Sequence, residues 1–261
     1  MFRWLTERRR RHLLEGPFPS PWHQYLQSRV AAYALLDDEQ RQRLRDLVRV
    51  FIAEKRWEGC GGLDLTDEIR VTIAASACLL LLGRDHDLFA DVESILVYPR
   101  TVVVPAQAPS IFHTSGLPAE PETPIMGQAF RHGPVVLAWD AVMSGAGNTR
   151  DGRNVVIHEF AHKVDFLDGA ADGTPPLPNQ ASRQAWSHAL TPAFLRLKQR
   201  VGQQRHGFLD DYAATNEAEF FAVVSEVFFE KPDVLAKALP DVHAALRDFY
   251  GIELAGRTSR R

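Results

Sequence analysis

Residues 154–169, NVVIHEFAHKVDFLDG, set two histidines four apart with a glutamate directly after the first, inside a run that otherwise reads as a helix interior. On a helix, side chains four apart share a face about one turn apart, so His158 and His162 present their imidazoles to a single point. Nearly every other face is apolar, carrying Val155, Val156, Ile157, Phe160, Ala161 and Val164. Two imidazoles and a carboxylate buried there without partners would be costly. Zinc removes that cost: two nitrogens at about 2.0–2.1 Å fill half of a tetrahedral shell. A catalytic site then needs one more protein ligand and one open position for water. Glu159 is turned away from the metal axis yet close enough to act as general base on that water. The competing reading is an ordinary core helix with two histidines. With ten histidines in the chain, the five-residue pattern would arise by chance in on the order of one per cent of such sequences, and the helical context lowers that figure.

Several carboxylates compete to be the third ligand. Asp168 lies six residues after His162, where some zinc proteases return a ligand through a sharp turn. That turn favours glycine at the position of Asp165, and a non-glycine residue there costs about 1–2 kcal/mol. Glu219, in YAATNEAEFFAVVSEVFF, is the other main candidate, although Asn216 followed three residues later by Glu219 also resembles a capping box that would occupy it. Glu217 and Glu226 sit on the same segment, and spacing alone does not choose among them. Asp165 returns to the face of His158 two turns on, so it can accept the second ring N–H of a ligand histidine or cap the following turn.

The rest of the chain predicts an α+β protein, mostly helical with a small mixed sheet next to the motif helix. Residues 1–21 read as a basic N-terminal extension, with arginines at 8 to 11. Residues 22–261 read as one domain: helices over 22–83, strands and a Pro-rich loop over 92–142, and catalytic helices over 152–250. Within it, Asp64 to Leu82 predicts a helix buried on most sides with Gly83 as its C-cap. SILVYPRTVVVP and GPVVLAWDAV predict strands. The second of these is either an exposed edge that could bind an extended peptide or, from its continuous apolar character, a fully paired interior strand. The proline-rich stretch between them, around His113, reads as a surface loop over about 105–127. Asp85, His86 and Asp87 read as a polar turn with no assigned role.

A formal charge of −3 offers no global attraction to nucleic acid, and the arginine run lacks an aromatic stacking platform, so no direct nucleic-acid partner is expected. Its sequel HLLEGPFPSPW lacks the uninterrupted apolar segment of about 7–15 residues that an export signal requires. TIAASACLLLLG is far shorter than the roughly 20 residues of a membrane span. Two cysteines, Cys60 and Cys78, with no CxxC arrangement, read as small buried hydrophobes. They fit a reducing compartment, the cytoplasm.

VVIHEFAHKVDFLDG, DYAATNEAEFFAVVSE and GPVVLAWDAV together resemble the Mlc titration factor A family of bacterial zinc metallopeptidases, with a motif helix also similar to that of anthrax lethal factor. The resemblance runs from about Trp22 to Tyr250. It implies a zincin-like fold, one Zn2+ per chain and a glutamate ligand seven residues after a functional tyrosine. In this sequence those residues are Tyr212 and Glu219. The implied metal shell is His158, His162 and Glu219, with Glu159 and Tyr212 catalytic. The implied activity is aminopeptidase-like hydrolysis of peptides, together with capture of a DNA-binding transcriptional repressor of the Mlc type. A protein that acts mainly by sequestering the repressor is the alternative.

Overall fold

The computed structural model describes residues 3–84, 89–103, 124–125, 127–129, 133–147 and 152–257. The turn of Asp85, His86 and Asp87 and most of the Pro-rich loop over 105–127, with His113, lie outside the described residues.

The chain begins with α1 (Arg3–Leu14), α2 (Ser20–Arg29) and α3 (Asp38–Glu54). The stretch expected as a basic extension contains α1, and Arg10 joins it to the domain: its guanidinium donates to both carboxylate oxygens of Glu54 at 2.6 and 2.7 Å. Arg8, Arg9 and Arg11 face solvent. In α3, Asp37 and Gln40 form a reciprocal capping box that fixes the helix start, and Leu44, Val48 and Phe51 make its buried stripe.

After β1 (Arg56–Gly59) comes α4 (Asp67–Leu79), the central helix, started by the Thr66 side chain accepting from the Ile69 N–H. It is shorter than the expected Asp64–Leu82 helix because the chain tightens into a turn after Leu79. Gly83 is not a left-handed cap, since its φ is not positive. It is small because a Cβ there would lie 2.2 Å from the Tyr250 carbonyl oxygen. Close backbone approach, rather than conformational freedom, requires the glycine.

The sheet next uses β2 (Ser94–Tyr98); β3 (Val102–Val103) and β4 (Pro124–Ile125) pair separately, and β5 (Gly127–Ala129) and β6 (Val135–Ala138) complete it. The order is β1-β2-β6-β5, with β1, β2 and β6 parallel and β5 antiparallel to β6, so the sheet is mixed as expected. β6 is paired on both sides, with Val135 and Leu137 fully buried. The exposed-edge alternative for PVVLAW is therefore excluded; the edges are β1 and β5. From Trp139 that segment is helical, as α5 (Trp139–Gly147).

The remaining helices are α6 (Val155–Asp165), α7 (Gln180–Gly202), α8 (Glu217–Glu230), α9 (Pro232–Ala238) and α10 (Pro240–Tyr250). α6 is wrapped by α4, α5, α8, β5 and β6. Phe160 anchors it with ring centroids 4.7 Å from Phe89 and 5.7 Å from Phe51, in edge-to-face geometry. Cys78 is buried in α4, whereas Cys60, also expected to be buried, is only half-buried; both are free. Among the described residues, no helix is long and apolar enough to cross a membrane.

Candidate metal centre

α6 begins where the sequence provides a cap: the Asn154 side chain accepts from the Ile157 N–H at 3.1 Å. Along the helix only Val155, His158 and His162 are not fully buried. These three fall on one stripe at helical spacing, so the polar stripe is the single face of α6 left open. α8 begins in the same manner, with the Asn216 side chain accepting from the Glu219 N–H at 2.9 Å. Only this half of the expected capping box forms. The Glu219 carboxylate turns instead to the histidines of α6.

There, Glu219 Oε2 lies 3.0 Å from His158 Nε2 and 3.3 Å from His162 Nε2, and the two Nε2 atoms are 3.2 Å apart. Three atoms that can serve as metal ligands thus converge on one point. Ligands at about 2.0–2.1 Å around a tetrahedral zinc stand about 3.3–3.4 Å from one another. The donor set and its spacing therefore fit a zinc ion, and His158, His162 and Glu219 form the one group of three metal-ligating side chains found among the described residues.

The far side of the first imidazole is also engaged. His158 Nδ1 lies 2.8 Å from Glu226 Oε1, and Glu226 Oε2 accepts the Asn154 backbone N–H at 2.5 Å. By spacing Asp165 is the candidate partner of the ring N–H, whereas in the structure Glu226 occupies that position. Glu219 and Glu226 are seven apart on one helix, the same two-turn spacing that had singled out Asp165 relative to His158. That spacing was the available signal.

Asp165 instead braces the loop after α6. Fully buried, it accepts the Gly173 N–H at 2.9 Å, and burial pushes its carboxyl up to about 6. The chain does not turn sharply at Asp165, which keeps helical angles (φ −62, ψ −39); the left-handed residue is Gly169, at φ 95. Asp168 consequently points to solvent, where its side chain accepts from the Ala170 N–H. It is not brought to the histidines. Gly173 has φ +73, and a Cβ there would sit 2.3 Å from the carbonyl oxygen of Glu217, at the start of α8. Gly173→Ala is expected to cost about 2 kcal/mol or more, from left-handed strain and displacement of α8, lowering the unfolding midpoint by about 4–8 °C. An unchanged midpoint in calorimetry would show that the loop gives way freely.

The electrostatics follow from burial among these groups. Burial alone would lower the basicity of His158, but hydrogen bonds to Glu219 and Glu226 outweigh it and raise its pKa to about 10. Burial also acts against ionised Glu219, yet the two imidazoles hold its carboxyl well below the usual range. Glu159 is 6% exposed; burial, opposed by the imidazoles, lifts it to about 7. Tyr212 stands on the 3-10 turn Asp211–Ala214. Asp210 accepts the Tyr212 N–H and is ion-paired with Arg153, the residue before the cap of α6. The Tyr212 ring centroid is 6.1 Å from that of His158, and the residue is 52% exposed, open to an incoming molecule. Partial burial and the Glu219 carboxylate beside it raise the phenol to about 12, so it stays a hydrogen-bond donor at neutral pH.

The profile of a family described as glucose-regulated metallo-peptidase M90 matches residues 4–251. An uncharacterized protein of Synechocystis sp. is 35% identical over 247 residues, covering 94% of this chain and 88% of its own. Proteins named Mlc titration factor A are similar as well. That of Serratia proteamaculans is 32% identical over 86% of this chain and 85% of its own, and that of Klebsiella pneumoniae 31% identical over 90% and 87%.

Proposed function

The chain belongs to the glucose-regulated metallo-peptidase M90 family, and on that premise we propose that it is a zinc-dependent peptidase of aminopeptidase type, with His158, His162 and Glu219 as metal ligands. Its mostly helical α+β architecture, with the small sheet beside α6, is that of a zincin-like metallopeptidase. The observation that carries the proposal is the convergence of two imidazole nitrogens and one carboxylate oxygen, all within 4.8 Å of one another, beside a buried glutamate.

Zinc held there would supply a Lewis acid that polarises a scissile carbonyl and lowers the pKa of water from 15.7 towards about 7. Glu159 takes a proton from the attacking water and returns it to the leaving amine. The Tyr212 hydroxyl donates a hydrogen bond to the carbonyl oxygen as negative charge develops on it. A free substrate α-amine calls for a carboxylate. Asp165 and Glu226 are buried in other bonds, whereas Glu217 is exposed on the first turn of α8, two residues before Glu219, and is the carboxylate we assign to that amine.

The names of the similar proteins favour a second role in the same chain: binding of an Mlc-type transcriptional repressor. The two free cysteines suit work in a reducing cytoplasm. The test is hydrolysis of short peptides by the zinc-loaded protein, alongside repressor binding. A chelator should abolish cleavage, zinc should restore it, and peptides with an acetylated N-terminus should resist. Cleavage that ignores the chelator, or none at all with zinc, would sink the peptidase reading. Repressor binding that survives chelation would separate capture from catalysis.

A further inference from the structure

Glu219, Glu226 and Glu230 lie at intervals of seven and four along α8, on one face of the helix. That face meets the start of α6 at three places. Glu219 reaches the two imidazoles, Glu226 bridges His158 and the Asn154 backbone, and Glu230 Oε1 accepts the Asn154 side-chain amide at 2.8 Å. Asn154 in turn caps α6. One residue, Glu226, therefore touches both the first expected ligand and the backbone that starts the helix carrying it. Glu226 is 6% exposed, with each carboxylate oxygen occupied by a different N–H.

An imidazole can offer only one of its nitrogens as a metal ligand, and a proton on the other fixes which. We propose that Glu226 is a positioning residue for the metal centre. By accepting Nδ1–H of His158 through one oxygen and the Asn154 N–H through the other, it holds the imidazole with its Nε2 lone pair facing His162 and Glu219, and locks the first turn of α6 to α8. The proposal rests on the reading of His158, His162 and Glu219 as ligands. A carboxylate is needed because both partners are donors. Glutamine has one acceptor and would turn an N–H2 group towards one of them.

A residue serving only as a helix brace would affect folding and leave the metal untouched. The experiment therefore measures zinc affinity by chelator competition in wild type, Glu226→Gln and Glu230→Gln, with circular dichroism as a check on folding and the visible spectrum of the cobalt-substituted proteins as a report on ligand geometry. In Glu226→Gln, zinc affinity is expected to fall about 10–100-fold, and the cobalt spectrum to change. Glu230→Gln, which keeps an oxygen that can accept the Asn154 amide, should leave zinc affinity within about twofold of wild type. Wild-type zinc affinity in a folded Glu226→Gln protein overturns the proposal and leaves the metal site standing. Failure of the wild type itself to bind zinc overturns the site, and the proposal with it. Should Glu226→Gln not fold, proton NMR of the zinc-loaded wild type decides: a His158 Nδ1 proton shifted downfield and protected from exchange supports the assignment, and a freely exchanging one overturns it.

Discussion

Glu159→Gln is expected to lower peptide turnover by about 10²–10⁴-fold while zinc content stays at that of the wild type. The substitution preserves shape and removes the proton acceptor. Nothing else should change, because Glu159 is 6% exposed and its neighbours on α6 are packed against α4, α8 and the sheet. The loss corresponds to about 3–5 kcal/mol of transition-state stabilisation. Glu159 is absent from the convergent group formed by His158, His162 and Glu219, so metal analysis and activity should come apart in this variant. The assay is steady-state hydrolysis by enzyme whose zinc has been measured in the same preparation. Native turnover would remove Glu159 from the mechanism, and loss of zinc along with activity would make it a ligand or a structural group.

Glu219→Ala should have the opposite signature, with zinc falling from about one ion per chain to near zero and activity falling with it. Two imidazoles remain in that variant, half of the tetrahedral shell. Asp168→Ala is the companion measurement, because Asp168 was the rival third ligand by spacing and lies in solvent on the turn after α6. It should keep both zinc and activity. Thermal unfolding provides a second readout: zinc at 100 times its dissociation constant stabilises by about 2.7 kcal/mol, a rise of about 5–10 °C. The wild type and Asp168→Ala should show that rise, and Glu219→Ala should not. Loss of zinc in Asp168→Ala alone would transfer the third ligand to Asp168 and discard the role of α8.

What could be read directly from the chain was whatever depends on neighbours a few residues away. The pairing of His158 with His162 on one face, the cap at Asn216, the buried run of α4 and the strand at 135–138 all follow from helical or extended periodicity and from side chains bonding their own backbone. β1 was not legible, because RWEG has no alternation and becomes a strand only by pairing with β2. Gly83 was legible as a glycine but not for its reason, which is the backbone of Gly251 and Tyr250 pressed against it from the other end of the chain.

The site divides along the same line. The sequence by itself determined a helix presenting two imidazoles and a glutamate; spacing left Asp165, Asp168, Glu217, Glu219 and Glu226 open, and only the resemblance favoured Glu219, seven residues after Tyr212. The packing of α8 on α6 distinguished them physically. It turned Glu219 to the Nε2 atoms and Glu226 to the Nδ1 side, drew Asp165 to Gly173, and left Asp168 and Glu217 in water. A carboxylate's chemistry is fixed by its covalent structure, but its role is fixed by what lies within about 3 Å of its oxygens. For Glu219 and Glu226 the nitrogens of His158 lie 61 and 68 residues away along the chain, a separation that no local periodicity encodes.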